Sequence, residues 1–417
     1  MAASGSDSEF LTALGREHEQ ATTSAPVFVT ALEEQIELSR RHWSELADSS
    51  ECISKEEEEA AIKLDNEEVF MTLEMHPEWG EFLWGLHVFA SLELGEKFAE
   101  GAQAELFHAH VQWRNPKSNE RDQEDGIEWV VKVFKKGSLV RHLQQQWPHG
   151  LLQIKLKNLK RFKIGKTLEN RHYCDVFCAT LLEDGRFAFL MVREDEDLRT
   201  LIDCKMSESH CMSGPFSKEV AEEIMHRVAM GMNQLHSYGI VHRDLKASNV
   251  LVKTSSHGKY TYCSVADFEC SIGVVGTRFW RAPEILQACK EGNANMRLEL
   301  FSKSSDSYSF GMTCYEILTG RIPFQDHPLI EQRLLLTDLV INYHLRSDVP
   351  EYVNDWACEL LRWCWRSDPI ARPSFEDILS FIEANSESEY VKEEAAERMR
   401  GDDAEWILAS EDNSKPA

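Results

Sequence analysis

Apolar residues recur every three to four positions in some parts of the chain and every second position in others. The change of period marks out the elements. From Val29, the residues Leu32, Ile36, Trp43 and Leu46 fall on about one face of a helix. Ser54-Lys55-Glu56-Glu57 has the form of a capping box, with Ser54 as N-cap and Glu57 at the third helical position. It predicts a second helix running through Ile62 and Leu64 to Phe70. A third is expected to begin near Pro77, with Trp79, Phe82, Leu83, Leu86 and Phe89 on one face. The heptad is not sustained, so these helices read as a small module rather than a long coiled coil.

From Ala90 the period falls to two. Residues 92–98, 104–111 and 127–134 alternate as antiparallel strands, and a polar loop over 115–126 separates the last two. Residues 177–182 and 187–192 flank the turn Glu183-Asp184-Gly185 and add two more strands, which makes a five-stranded sheet. After Val192 the pattern is helical, over 198–204, 216–236, 309–318, 329–342, 353–365 and 375–383. The tail after Asn385 is acidic and weakly helical, suited to lie on the surface or stay mobile. Residues 1–28 are polar and small, and are expected to be disordered.

Composition narrows the class. The chain has 417 residues and a formal net charge of −26, which argues against nucleic acid as a partner, because phosphate backbones attract basic surfaces. No apolar run is long enough to span a bilayer. Met1-Ala2-Ala3-Ser4 has neither the basic start nor the apolar core of a secretory signal, and it lacks the glycine that myristoylation needs. The 11 cysteines show no metal-ligand spacing and read as reduced thiols of a cytoplasmic protein.

The candidate chemistry lies in motifs that follow one another in a fixed order. The run Val241-His242-Arg243-Asp244-Leu245-Lys246-Ala247-Ser248-Asn249-Val250-Leu251 comes first. Ala266-Asp267-Phe268-Glu269 follows, and then Gly276-Thr277-Arg278-Phe279-Trp280-Arg281-Ala282-Pro283-Glu284. Asp306-Ser307-Tyr308-Ser309-Phe310-Gly311 and Cys364-Trp365-Arg366-Ser367-Asp368-Pro369-Ile370-Ala371-Arg372-Pro373 complete the series. In this order they resemble the protein kinase superfamily, over about residues 92–384. The first, third and last segments look most like the tyrosine-kinase-like group, as found in plants.

The resemblance implies an α+β, bilobal protein kinase fold. It has a five-stranded antiparallel N-lobe with one helix and a mainly helical C-lobe, preceded here by the small helical module. The expected segments are a disordered N-terminus over 1–28, the helical module over 29–90, the N-lobe over 91–192, the C-lobe over 193–385 and an acidic tail over 386–417. The helical module either packs on the N-lobe or binds a partner protein. The implied activity is transfer of the γ-phosphoryl group of ATP to Ser/Thr hydroxyls of protein substrates, with Mg²⁺.

By the same resemblance Asp244 is the catalytic base, Lys246 neutralises the transferred phosphoryl group, and Asn249 and Asp267 hold Mg²⁺. Lys132, in Val130-Val131-Lys132-Val133-Phe134, matches the strand lysine that contacts the α- and β-phosphates. Gly101 belongs to the glycine-rich loop and Leu106 lies over the adenine. Met191 precedes the hinge, with Leu190 as the other candidate for that position, Val192 and Glu194 offer backbone groups to the adenine, and Leu251 forms its floor. Lys246 and Thr277 favour Ser/Thr over Tyr as acceptor. Glu284 and Arg372 are spaced for a structural ion pair.

Three positions depart from the family pattern. Only Gly101 remains of the glycine-rich loop, with Ala99 and Ala104 at its outer positions. No Asp or Glu occurs between Lys132 and Leu168, where the family places a helix glutamate that pairs with the lysine; Glu169 is the first acid. That stretch is basic, and reads as a solvated face or as a dock for an acidic segment. Glu269 replaces a glycine whose freedom lets the backbone flip. The alternative reading is therefore a pseudokinase scaffold that signals through protein contacts. Ser271 and Thr277 are the hydroxyls of the activation segment, and a phosphate on Ser271 would meet Arg243.

Overall fold

The computed structural model describes residues 55–398, except for 77–78, 81–82, 84–88, 114–127, 152–171, 209–212, 255–259 and the single positions 102, 149, 175 and 273. The disordered terminus and first helix expected before residue 55, most of the basic stretch, Glu169 and the tail beyond 398 lie outside the described residues. The chain divides into two compact units. One holds residues up to 169 with 175–193, and the other holds 170–174 with 194 onward.

The first unit is built on five antiparallel strands in the order β1-β2-β3-β5-β4. These are β1 (Phe89–Glu100), β2 (Ala104–Trp113), β3 (Trp129–Phe134), β4 (Val176–Leu181) and β5 (Phe187–Val192). Alternation sorts their side chains onto two faces. Val131 and Val133 are fully buried on one face among Ala109, Val111, Cys178, Ala188 and Leu190. The opposite face carries Phe134, Phe187 and Phe189, whose ring centroids lie 5.1–5.8 Å apart. Trp147 stacks on this cluster, 5.9 Å from Phe187. Each such ring contributes roughly 1.5–3 kcal/mol by leaving water.

Helix α1 (Lys55–Glu74) joins the same cluster through Phe70, 6.2 Å from Phe187. Glu56, Glu57 and Glu58 fill its first turn, where they complement the helix dipole. A six-residue helix, α2 (Val140–Gln145), follows β3 and buries Val140 and Leu143. It contains no acidic residue.

The second unit is mainly helical. It comprises α3 (Leu198–Glu208), α4 (Lys218–Ser237), α5 (Pro283–Lys290), α6 (Lys303–Thr319), α7 (Arg333–Asn342), α8 (Asp355–Cys364) and α9 (Phe375–Asn385). A small sheet pairs β6 (Glu196–Asp197) with β7 (Val250–Thr254) and β7 with β8 (Tyr260–Val265). Ser217, Ser302, Asn354 and Ser374 cap α4, α6, α8 and α9 with their side chains. The segment 172–174 joins β8: Val265 N donates to His172 O at 2.9 Å, and Cys174 N donates to Val265 O at 2.7 Å.

Helix α6 is buried on nearly every side, polar residues included. Two of its buried serines bond outside the helix: Ser307 Oγ donates to Pro373 O at 2.7 Å and Ser309 Oγ to Trp280 O at 2.9 Å. A Cβ on Gly311 would come within 2.7 Å of Cys364 Cβ, so α8 approaches α6 only because that position is bare.

Most of the stretch in which a helix is expected from Pro77 lies outside the described residues; Gly80 N donates to His76 O and Leu83 N to Trp79 O, each at 2.9 Å, and Phe89 opens β1. Two expectations need correction. Helix α7 begins at Arg333 rather than 329, after turns that bond Gln332 N to Leu329 O at 2.8 Å. The tail is docked at least to residue 398. Residues 389–398 form a helix, Val391 is fully buried, and Arg227 lies 4.0 Å over the Tyr390 ring. Tyr390 and Val391 supply the apolar anchor that the acidic composition conceals.

Candidate active site

The loop between α4 and β7 is fixed from beneath by α6. Asp306, fully buried, accepts hydrogen bonds from His242 N at 2.8 Å and Arg243 N at 2.9 Å. Its Oδ2 also meets His236 Nε2 at 2.9 Å. His242 is buried as well, with Nε2 2.9 Å from Ala266 O. Arg243 is left-handed, with φ 71°, and burial lowers its pKa against the pull of Asp306. Its guanidinium lies 5.1 Å over the Phe301 ring. Non-glycine residues rarely hold such a φ; here a carboxylate gripping two successive backbone N–H groups imposes it.

On this base the functional side chains converge. Thr277 Oγ1 donates to Asp244 Oδ1 at 2.6 Å, and Lys246 Nζ donates to Asp244 Oδ2 at 2.8 Å. Lys246 Nζ also reaches Thr277 Oγ1 at 2.7 Å, which closes a triangle. Asn249 Nδ2 donates to Asp244 O at 2.8 Å. That bond turns its amide oxygen away from Asp244 as a potential ligand. Ala266 N donates to Asn249 O at 2.9 Å, which sets Asp267 one residue beyond. Asp267 is exposed and left-handed, with φ 70°. One amide oxygen and one carboxylate suit Mg²⁺, which keeps waters and takes its remaining ligands from phosphate.

Thr277 reaches Asp244 because Gly276 precedes it. Gly276 has φ 81°, and a Cβ there would come within 2.7 Å of Arg243 O. Glu269 is buried at 1% exposure and is not among the residues with positive φ. The conformation seen therefore does not require the glycine that Glu269 replaces. Ser271 is also buried at 1%, so a modifying enzyme reaches it only if the segment opens. Glu284 and Arg372 form the expected pair, two-pronged at 2.7 Å on each oxygen.

The sequence reading missed Glu316 on α6. Its Oε2 accepts from Ala247 N at 3.1 Å and from Trp280 Nε1 at 2.8 Å, and its Oε1 from Arg199 at 3.3 Å. Burial raises its pKa, although those three donors pull it down. It ties the catalytic loop to the segment after Thr277. The only sequence signal was an acid within an otherwise apolar turn, Tyr315-Glu316-Ile317.

In the first unit, register gathers the other candidates. Lys132 pairs with Leu106 on β2 and with Phe189 on β5, and Val130 pairs with Met191. Leu106, Lys132 and Met191 therefore lie on one face of the sheet. Lys132 is half-buried and Met191 buried. Val192 ends β5 opposite Trp129, and Arg193 N donates to Glu128 O at 2.8 Å. Gly101 is exposed at the β1–β2 tip, where its N–H donates to Ala104 O at 2.8 Å. That tip is laced by ion pairs, Glu100 to Lys135 at 2.7 Å and to Lys97 at 2.9 Å. In the second unit Glu194 is half-buried and Leu251 pairs with Ser264 on β8.

Comparison with known proteins agrees with this geometry. Residues 177–381 match the family model for the protein kinase domain. A light-sensor protein kinase of Ceratodon purpureus is 34% identical over 225 residues, 48% of this chain and 17% of that protein. Human mitogen-activated protein kinase kinase kinase 10 is 33% identical over 176 residues, 39% of this chain and 17% of the relative. The serine/threonine-protein kinase STY46 of Arabidopsis thaliana is 24% identical over 331 residues, 78% of this chain and 49% of the relative. The chain thus spans half or less of the length of each of these relatives. Among the described residues no helix is long and apolar enough to cross a membrane.

Proposed function

The chain belongs to the protein kinase superfamily, with its likeness to the tyrosine-kinase-like group, and from that premise we propose that it transfers the γ-phosphoryl group of ATP to Ser/Thr hydroxyls of protein substrates in cytoplasmic signalling. The observation that carries this reading is the closed triangle of Asp244, Lys246 and Thr277. Phosphoryl transfer depends on alignment and charge control more than on covalent chemistry. Asp244, with both oxygens already oriented, aligns the incoming hydroxyl and takes its proton. Lys246, two residues on, offsets the charge of the group in transit. In this reading Asn249 and Asp267 hold Mg²⁺, which neutralises charge between the phosphates when bound. Lys132, with Gly101 at the hairpin tip, addresses the phosphates. Leu106, Met191 and Val192 of the first unit and Glu194 and Leu251 of the second are the residues that this reading assigns to the adenine.

A second reading, a pseudokinase scaffold, draws on the acids where phosphates would lie. Glu100 and Glu105 flank Gly101 and Glu269 follows Phe268, all able to repel a triphosphate. One assay separates the two readings. The purified chain is given Mg·ATP and a generic protein substrate, with Asp244→Asn as control. We expect transfer by the wild type and a loss of about 10²–10⁴-fold in the variant, with ATP binding retained. Absence of transfer by the wild type, or equal transfer by a folded Asp244→Asn, rejects the enzyme.

A further inference from the structure

Helix α2 is short and poorly capped by its own sequence. The first N–H groups of a helix have no partner inside it. The N-cap residue Leu139 has extended backbone but an aliphatic side chain, and makes no capping bond. The missing acceptor comes from α1. Asn66 Oδ1 accepts from Val140 N, the first residue of α2, at 2.8 Å across 74 positions of chain. Asn66 Nδ2 donates to Ser138 O and to Gly185 O, each at 3.0 Å. Its amide thus makes three bonds to backbone, and Asn66 is only 1% exposed. Beside it, Asp65 takes the Arg141 guanidinium on both carboxylate oxygens, which adds negative charge at the positive end of α2. Lys63 Nζ reaches Glu183 O at 2.6 Å in the β4–β5 turn.

Three separate backbone points are thereby pinned by one side chain from outside the matched kinase region. Ser138 lies in the connection that leads from the strand of Lys132 into α2. Val140 begins α2, and Gly185 turns β4 into β5, the strand that pairs with β3 on the other side. α2 itself has no carboxylate with which to fix its position by an ion pair. We propose that Asn66 is a positioning residue for phosphoryl transfer, which caps α2 from α1 and holds the β3–α2 connection beside Lys132. The proposal rests on the kinase reading above. It makes α1 a working part of the first unit, and a partner that draws α1 away would uncap α2.

The test compares the full chain with Asn66→Ala and with Asn66→Ala/Leu139→Ser. The serine restores an acceptor at the proper N-cap, where the backbone is already extended. Amide exchange at 140–143, kcat and KM are measured at a temperature where melting curves show each protein folded. Asn66→Ala is expected to speed exchange at 140–143 and lower kcat, each by about fivefold, with KM for the protein substrate held. Leu139→Ser is expected to bring both back. Unchanged exchange, an unchanged kcat despite faster exchange, or a serine that recovers thermal stability without kcat each overturns the proposal. If Asn66→Ala does not fold, Asn66→Leu, which nearly keeps the side-chain volume and loses the acceptor, carries the same comparison. A wild type without transfer fails the kinase reading instead, and the exchange arm alone then decides whether Asn66 positions α2.

Discussion

Asp244 and its neighbours are held by groups shut away from water, whereas the tip of the β1–β2 hairpin is held by charges in it. Asp306 and Glu316 are 0–1% exposed and together accept six hydrogen bonds or close contacts from the catalytic loop and the residues around it. At the hairpin, Lys97 and Glu100 are each more than 40% exposed, and their pair is screened by salt. Both regions serve the same phosphate chemistry in the kinase reading. In that reading geometry is fixed where a proton would move and left adjustable where a triphosphate would enter. Replacing either buried acceptor would leave three donors without that partner, whereas a change at the exposed hairpin leaves its groups to water.

The largest effect is expected at Asp306. Asp306→Ala leaves the buried N–H groups of His242 and Arg243 without acceptors and removes the partner of His236. We expect a loss of about 3–5 kcal/mol, seen as a lower denaturant midpoint, together with loss of transfer. A variant that melts like the wild type would mean that the catalytic loop does not depend on its buried anchor, and the contrast between the two regions would fail.

That contrast also explains what could be read in advance. The five strands were legible because short apolar, β-branched and aromatic runs are bounded by turn residues, and β5 over Phe187–Val192 was placed to the residue. The Asp244, Asn249 and Asp267 motifs stood out because the family they resemble fixes residue type and spacing together. Contacts between distant segments did not. Nothing in Asp65-Asn66 marks it as the cap of a helix 74 positions away, since Asn in a helix is otherwise ordinary. Glu316 was hidden for the same reason, because a buried acid is recognised by its donors. The docking of residues 386–398 was obscured by their acidity, although Glu222, itself buried, accepts from Ser386 Oγ at 2.6 Å.

A second prediction uses acid. His172 belongs to the short segment that pairs with β8 and is almost wholly buried. Burial, aided by the charges of Arg227 and His226, pushes its pKa down to about 3 from 6.5. The unfolded chain therefore binds a proton in the window from 6.5 to about 3 that the folded chain refuses. Stability linked to His172 is complete above 6.5 and is lost as pH falls through that window. By pH 5 the loss is about 2 kcal/mol. His172→Asn should flatten the decline in melting temperature between pH 7 and pH 5 relative to the wild type. Parallel declines would show that the fold already accommodates the proton, so that the second unit is not closed to water at this point.

The smallest effect is expected at the hairpin. Lys135 and Lys97 hold the Glu100 carboxyl down to about 2, well below the usual carboxylate range. The pairs therefore persist as pH falls from 4.5 towards that value, but their groups are exposed and contribute little to the fold. Glu100→Ala removes an acid beside Gly101 and releases two lysines at the place where phosphates would be addressed. The expected outcome is a melting temperature within about 2 °C of the wild type and a KM for ATP that is unchanged or lower by up to about threefold. Raising the salt to about 0.5 M should narrow the difference between the proteins, because screening weakens the same attractions. A tenfold loss of turnover in Glu100→Ala would reverse the comparison. The hairpin acid would then be a fixed working part, and the exposed ion pairs would orient the loop as firmly as the buried carboxylates orient Asp244.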